Sequence, residues 1–299
     1  LVDRTNRKIS YIVIKEDKQM GRWNIRWSIL LVLWCVTGVK LAAMKVESLD
    51  RGWFFNRGYE SQAADKVTVD LPHTWNAADA MFGNVIYYRG MSTYSRFIVV
   101  PSSENFKRVF LRVKAAQTVA DVYLDNHFVA QHKGGYTSFT VELTHLIRKG
   151  EKHKLDIRVS NAQTMEIAPI CGDFNIWGGL NRGVELLYTD DACIDPTFYG
   201  SSGVFFTQCD VSEKYAGLEM KALLSGTEMA LNDCSIEFSL LDAKRKVVLC
   251  KETSVSGKEA LVKMELNNPH LWDGVNNPYL YTGVVVLKRG GKEIDRREE

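Results

Sequence analysis

The chain of 299 residues is short of nearly everything that marks a membrane, metal or nucleotide protein. Its one extended apolar run, Ser28 to Val39, falls short of the roughly 20 residues a membrane-crossing helix needs. Charge of one sign is also lacking. The formal net charge is +2, which leaves no global basic field for nucleic acid. Even that excess is local: residues 1–43 hold eight Lys/Arg against three Asp/Glu, and the remainder is mildly acidic. The six cysteines include no C-x-x-C pair, so their spacing supports neither a zinc site nor a disulfide framework. Cys171, Cys193, Cys209, Cys234 and Cys250 read mostly as small buried hydrophobes. No H-E-x-x-H occurs, Gly200-Ser-Ser-Gly203 is not a G-x-S-x-G elbow, and no glycine-rich phosphate loop precedes a helix. No metal or cofactor is expected.

What is there begins with a targeting pattern. Met20-Gly-Arg-Trp-Asn-Ile-Arg-Trp supplies a short basic region, the Ser28–Val39 run follows, and small residues stand at Gly38, Ala42 and Ala43. This reads as a secretory signal peptide starting at Met20. A buried hydrophobic helix is the alternative. Under the first reading residues 1–43 are an upstream extension plus signal, and Cys35 leaves with it. The protein is then periplasmic or secreted, touches a membrane only through that signal, and has the chance of one or two disulfides.

Beyond residue 43 the pattern has period two. Val109, Leu111 and Val113 alternate with Phe110 and Arg112, and Leu155, Ile157 and Val159 with Asp156 and Arg158. That marks half-buried antiparallel strands. Val119 to Leu124, then Asp125-Asn126, then His127 to Ala130 reads as a hairpin, because Asp and Asn tolerate the left-handed backbone its turn requires. Tyr136 and Phe139 read as strand packing. Residues 44–190 thus suggest a β-sandwich of jelly-roll type. Cys193-Ile-Asp-Pro196 looks like a connection. In residues 195–299, Leu218 to Leu224, Ile236 to Leu240 and Val262 to Leu266 alternate again, and Gly290-Gly291 turns a last hairpin. Short strands at this density fit an immunoglobulin-like sandwich. The fold class is all-β.

The stretch between these halves, Asp173 to Glu185, combines a carboxylate, an amide, two aromatics and the pair Gly178-Gly179. Asp173, Asn175 and Trp177 would share one face of an extended segment. An acceptor beside an apolar ring suits a sugar, whose hydroxyls need partners and whose C–H face needs a flat surface. The competing reading is a glycine-rich connection with a buried tryptophan.

Asp173-Phe-Asn-Ile-Trp-Gly-Gly-Leu-Asn-Arg182-Gly-Val resembles the signature that closes the first domain of family 2 glycoside hydrolases. Leu71-Pro-His-Thr-Trp75, Tyr88-Arg-Gly90 through Tyr94, and the run from Val119 to Phe139 resemble further segments of that domain. Pro269-His-Leu-Trp272 and Asn277-Pro-Tyr-Leu-Tyr281 are similar to the hallmark of its second domain. Trp272 there is large enough to plug a sandwich core. His73 and Trp75 read as packing and local hydrogen bonding.

The resemblance implies several things. Asp173 would reach a pocket and bond a substrate hydroxyl, Asn84 would bond the sugar, and Trp177 would line it. Gly183 stands where the family usually has an Asp. A β-linked sugar or oligosaccharide is the implied partner, and nucleic acid is not. Retaining glycosidases use two carboxyl groups about 5–5.5 Å apart. In the family both lie on a (β/α)₈ barrel after the second domain, the acid/base in an Asn-Glu dipeptide that this sequence lacks. No catalytic residue is therefore assigned here. The expectation is the N-terminal part of a retaining β-glycosidase, β-galactosidase-like, with catalysis on a downstream barrel. A stand-alone carbohydrate-binding module or an inactive truncated product is the alternative.

Overall fold

A computed structural model describes residues 44–58, 67–79, 81, 87–103, 105–168 and 175–299. The signal peptide expected within residues 1–43 lies outside the described residues, as do Asn84, Cys171 and Asp173.

The alternation read from the sequence becomes strands with one face in a core. The first group comprises β1 (Lys45–Ser48), β2 (Trp53–Arg57), β3 (Val67–Val69), β4 (His73–Thr74), β5 (Met91–Val99) and β6 (Arg108–Val113). It continues with β7 (Val119–Leu124), β8 (His127–Lys133), β9 (Phe139–Glu142), β10 (Lys152–Ser160), β11 (Gly179–Leu180) and β12 (Val184–Thr189). A four-stranded sheet, β1-β12-β6-β9, faces a six-stranded one, β3-β2-β5-β10-β7-β8. Leu155, Ile157 and Val159 of β10 and Val109, Leu111 and Val113 of β6 supply opposite walls of one apolar core, with Trp53 and Tyr94 fully buried in it. The expected β7–β8 hairpin is present, with Asp125 and Asn126 at φ 49° and 67°. Asp125 also locks the turn: its carboxylate accepts from Lys154 N at 2.7 Å and bonds His153 Nδ1 at 2.6 Å.

Every residue of β12 is buried, which alternation alone does not predict. The reason is a second layer. Phe110 and Leu187, on the outer face of the four-stranded sheet, pack with Cys193.

The second group comprises β13 (Cys193–Ile194), β14 (Val204–Cys209), β15 (Tyr215–Ser225), β16 (Cys234–Leu241), β17 (Val247–Ser254), β18 (Glu259–Asn267), β19 (Thr282–Arg289) and β20 (Lys292–Glu298). β15 joins β13, β14 and β18 in one sheet, and β17-β16-β19-β20 forms the other. Met220, Ala222, Ile236, Phe238, Val262 and Leu287 fill the core between them. A one-turn helix missed by the strand pattern, α1 (Glu228–Asn232), is capped by Thr227, whose side chain accepts from Ala230 N.

Three expectations fail. Trp272 plugs no core: it is 64% exposed. Its segment lies between β18 and β19 as a surface loop, closed by Asp273 N bonding Asn277 O. Tyr136 is exposed where packing was expected, because it follows two glycines and precedes β9, outside the ladder. Among the described cysteines Cys193 and Cys234 are buried, but Cys209 and Cys250 are exposed, and all four are free thiols.

Candidate carbohydrate-facing rim

Segment 175–180 is held at one end of the first sandwich by two buried asparagines. Asn76 Nδ2 donates to Ile176 O at 3.1 Å, and its Oδ1 accepts from Gly178 N at 3.0 Å. Asn161 Nδ2 donates to the same Ile176 carbonyl at 2.9 Å, while its Oδ1 accepts from Gly90 N. Trp75 N completes the clamp through Gly178 O at 3.0 Å. Both glycines are required by space. A Cβ on Gly178 would stand 2.1 Å from Trp75 Cζ2, and one on Gly179, at φ 140°, would stand 2.2 Å from His73 O. This approach lets β11 pair with β4.

Under the segment lies an aromatic floor. Phe55 stacks on Trp75, with ring centroids 6.1 Å apart, and meets His73 edge-on at 4.7 Å. Tyr94 Oη lies 2.7 Å from His73 Nδ1. Burial, then the nearby Arg57 charge, pulls the His73 pKa below its ordinary 6.5, so the imidazole is neutral at pH 7. One hydrogen bond joins Tyr94 Oη and Nδ1, its direction set by the imidazole tautomer, and Tyr94 Oη also reaches His73 O at 3.4 Å. Burial raises the tyrosine's own pKa. Arg57 sits over Tyr88, 5.0 Å from its centroid, and donates to Trp75 O. His73 thus packs and hydrogen-bonds as read from the sequence, whereas Trp75 packs but leaves its buried indole Nε1 without a partner.

With the backbone fixed, the side chains sort by face. Ile176 is buried, while Trp177 is 42% exposed and meets Tyr87 edge-on at 6.2 Å. The buried-tryptophan reading fails. Asn175, on Trp177's side of the alternation, is half-buried, and neither polar atom of its amide has a protein partner. The sequence singled out Asn175 and Trp177 but missed Asn76, Asn161 and Tyr87. Asn76 follows the Leu71–Trp75 motif directly, which was the one signal available. Among the described residues no cluster of three or more His, Cys, Asp or Glu could hold a metal, and no helix is long and apolar enough to cross a membrane.

Two successive antiparallel sandwiches, with an exposed indole at one end of the first, define the class: part of an all-β, multi-domain protein. Comparison with known proteins makes the assignment. Residues 203–299 match the model of glycosyl hydrolases family 2, and residues 85–169 that of the glycosyl hydrolase 2 galactose-binding domain-like region. The chain belongs to family 2 of the glycosyl hydrolases and corresponds to its N-terminal region. A β-glucuronidase of Bacteroides fragilis is 36% identical over 253 residues, covering 83% of this chain and 36% of the relative. A β-galactosidase of Bacteroides ovatus is 26% identical, covering 88% of this chain and 32% of that protein. A solved Bacteroides fragilis structure described as a β-galactosidase superposes with a TM-score of 0.81 at 30% identity, covering 86% of this chain and 41% of that one. The chain therefore spans well under half the length of these relatives.

Proposed function

We propose that the chain forms the sugar-facing N-terminal part of a retaining β-glycosidase that hydrolyses β-galactosides or β-glucuronides. The observation that carries this reading is the exposed Trp177 ring, set edge-on against Tyr87, with the buried, partnerless Asn175 amide two residues earlier. A buried amide without a partner is costly, and a sugar hydroxyl, which both donates and accepts, would satisfy it once the amide turns outward. Asp173, two residues earlier, and Asn84 are the further sugar contacts in this reading. A hydrogen bond from an ionised Asp173 would contribute roughly 1.5–3 kcal/mol. The two catalytic carboxyl groups belong to the downstream barrel that the family resemblance implies, so this part narrows the pocket and orients the terminal sugar.

The finer structural readings accompany it. The first sandwich is jelly-roll in type and the second immunoglobulin-like, which the facing antiparallel sheets support. Export through a signal starting at Met20 places the protein in the periplasm or outside the cell. N-terminal sequencing of the mature product tests that placement.

The functional test uses nitrophenyl β-galactoside and β-glucuronide with the purified 299-residue chain. The expected result is no protein-dependent release of nitrophenol, with weak saturable quenching of tryptophan fluorescence that Asp173→Ala and Asn175→Ala abolish. Hydrolysis by the purified chain would overturn the division of labour. In the longer protein, Asp173→Ala should lower kcat/KM by roughly tenfold or more, the equivalent of that hydrogen bond.

A further inference from the structure

A second feature lies where the two sandwiches meet and shares no residue with the Tyr87–Trp177 rim. An open cleft of about 660 Å³ is lined by His132, Lys133 and Thr137 from one side and by Asp195, Phe198 and Tyr199 from the other. Its floor is joined across the seam, since Ser138 Oγ donates to Gly200 O at 2.8 Å.

The conformation of its aromatic wall is unusual. Ser201 N bonds Phe198 O at 2.9 Å, closing a four-residue turn whose central residues, Tyr199 and Gly200, have φ of 47° and 69°. Glycine is required at the second position, because a Cβ on Gly200 would stand 2.0 Å from Ser138 O. Tyrosine at the first is not explained by the turn. Such turns favour Asn, Asp or Gly, and a bulky residue is strained there. Nor is it explained by packing, since Tyr199 is 88% exposed. A strained, exposed aromatic residue on a locked turn points to a role outside the fold's own stability.

The surroundings say what the ring can hold. Phe198 meets Tyr199 edge-on at 4.9 Å and is braced by Phe205 at 6.0 Å, which fixes the platform. Polar groups stand around it. Asp195 Oδ1 accepts from Thr197 N and Oγ1, while Oδ2 has no hydrogen-bond partner among the described residues. Thr137 Oγ1 lies 3.3 Å from His132 Nε2, and His132 stacks on Phe139 at 4.4 Å. Lys133 Nζ pairs with exposed Glu166. The site is thus a fixed flat ring with an acceptor, a hydroxyl and a cation within one wide, wet cleft. A pyranose with equatorial hydroxyls matches it: its C–H face covers the ring and its hydroxyls reach the rim groups. A small apolar ligand would leave the carboxylate and the hydroxyl uncovered. We propose that this seam cleft is a second saccharide-binding site, with Tyr199 as its stacking platform, taking an oligosaccharide of glucose or xylose units.

The test titrates cellotetraose and xylotetraose into the 299-residue chain by calorimetry, with Tyr199→Asn as the decisive variant. Asparagine tolerates positive φ, so Tyr199→Asn should keep or raise the melting temperature while weakening saccharide binding at least tenfold. Asp195→Asn should weaken it less, and Trp177→Ala should leave it unchanged. Failure of both saccharides to bind would overturn the proposal. So would binding that survives Tyr199→Asn but is lost in Trp177→Ala, which would move it to the other rim. A lowered melting temperature in Tyr199→Asn would make the ring structural. A dimer that Tyr199→Asn dissociates, without saccharide binding, would assign the ring to a protein contact.

Discussion

Gly178 lies so close against Trp75 that a β-carbon on it would stand 2.1 Å from the indole Cζ2. The glycine is the condition for the clamp made by Asn76, Asn161 and Trp75 N, and hence for where Trp177 points. Trp75 is buried and stacks on Phe55. Gly178→Ala should therefore cost roughly 1–3 kcal/mol or more, the scale of overpacking in a closed core. Urea unfolding measures it. Trp75→Phe opens space on the same side, so the double variant should recover part of the loss. Equal losses with and without Trp75→Phe would show that the indole is not the obstacle.

Acid should weaken the fold in two stages. His73, held neutral by burial and by the Arg57 charge, has a folded pKa below the ordinary 6.5. Between those values the unfolded chain binds the extra proton, so its contribution is complete above 6.5 and declines as pH falls toward the folded value. His132, lowered by burial, acts in the same direction. Glu142 comes next. The Arg108 hydrogen bond holds its carboxyl below the ordinary 4.5 despite burial, so that contribution is complete above 4.5 and is lost as pH falls through the folded value. Urea midpoints from about pH 7.5 to pH 3 read both stages. His73→Asn should reduce the slope of the first without abolishing it, and Glu142→Gln should reduce that of the second, which Asp125 and Asp191 share.

How much of this was legible in the sequence follows from which forces are local. Period-two alternation reports which face of a strand is buried, and it located β6, β10, β15, β16 and β18. Asp125-Asn126 announced its own turn, since the left-handed backbone is a property of those two residues. Burial on both faces of β12 was not legible, because it depends on Cys193, which the second group of strands brings against Phe110 and Leu187. Trp272 misled for a related reason. Size and apolarity suggest burial but do not say whether a residue sits on a strand or in a loop. At the rim, Asn175 and Trp177 were visible through alternation, whereas Asn76 and Asn161 act across about 100 and 15 residues of chain on one carbonyl, which no local pattern encodes.

The exposure of Trp272 gives a contrast between two tryptophans. Trp53 is fully buried and donates from Nε1 to Leu49 O at 2.6 Å. Trp53→Ala should cost about 3–5 kcal/mol, the range for deleting a buried aromatic ring. Trp272→Ala should stay below about 1 kcal/mol, as surface changes do. Thermal melting of both variants in parallel checks this. A large loss for Trp272→Ala would mean that its ring is covered in solution by something absent from the described residues.

The tie between β13 and β20 is a buried ion pair, and its energetics separate a unit from a sum. Arg297 Nη1 lies 2.5 Å from Asp295 Oδ1, with both side chains nearly closed to water. Asp295 Oδ2 accepts from Ile194 N at 2.8 Å, and Arg297 Nη2 donates to Ile194 O at 3.2 Å, so both polar groups of one backbone residue depend on the pair. Arg297→Met should cost about 3–5 kcal/mol, because it strands a carboxylate in the interior. Pairing it with Asp295→Asn removes that stranded charge while the amide can still face Ile194. The double variant should then be more stable than Arg297→Met alone, with a coupling of about 1–3 kcal/mol in the mutant cycle. Strictly additive losses would mean that water or a third group already compensates Asp295, and that β20 is held by its ladder with β19 rather than by this pair.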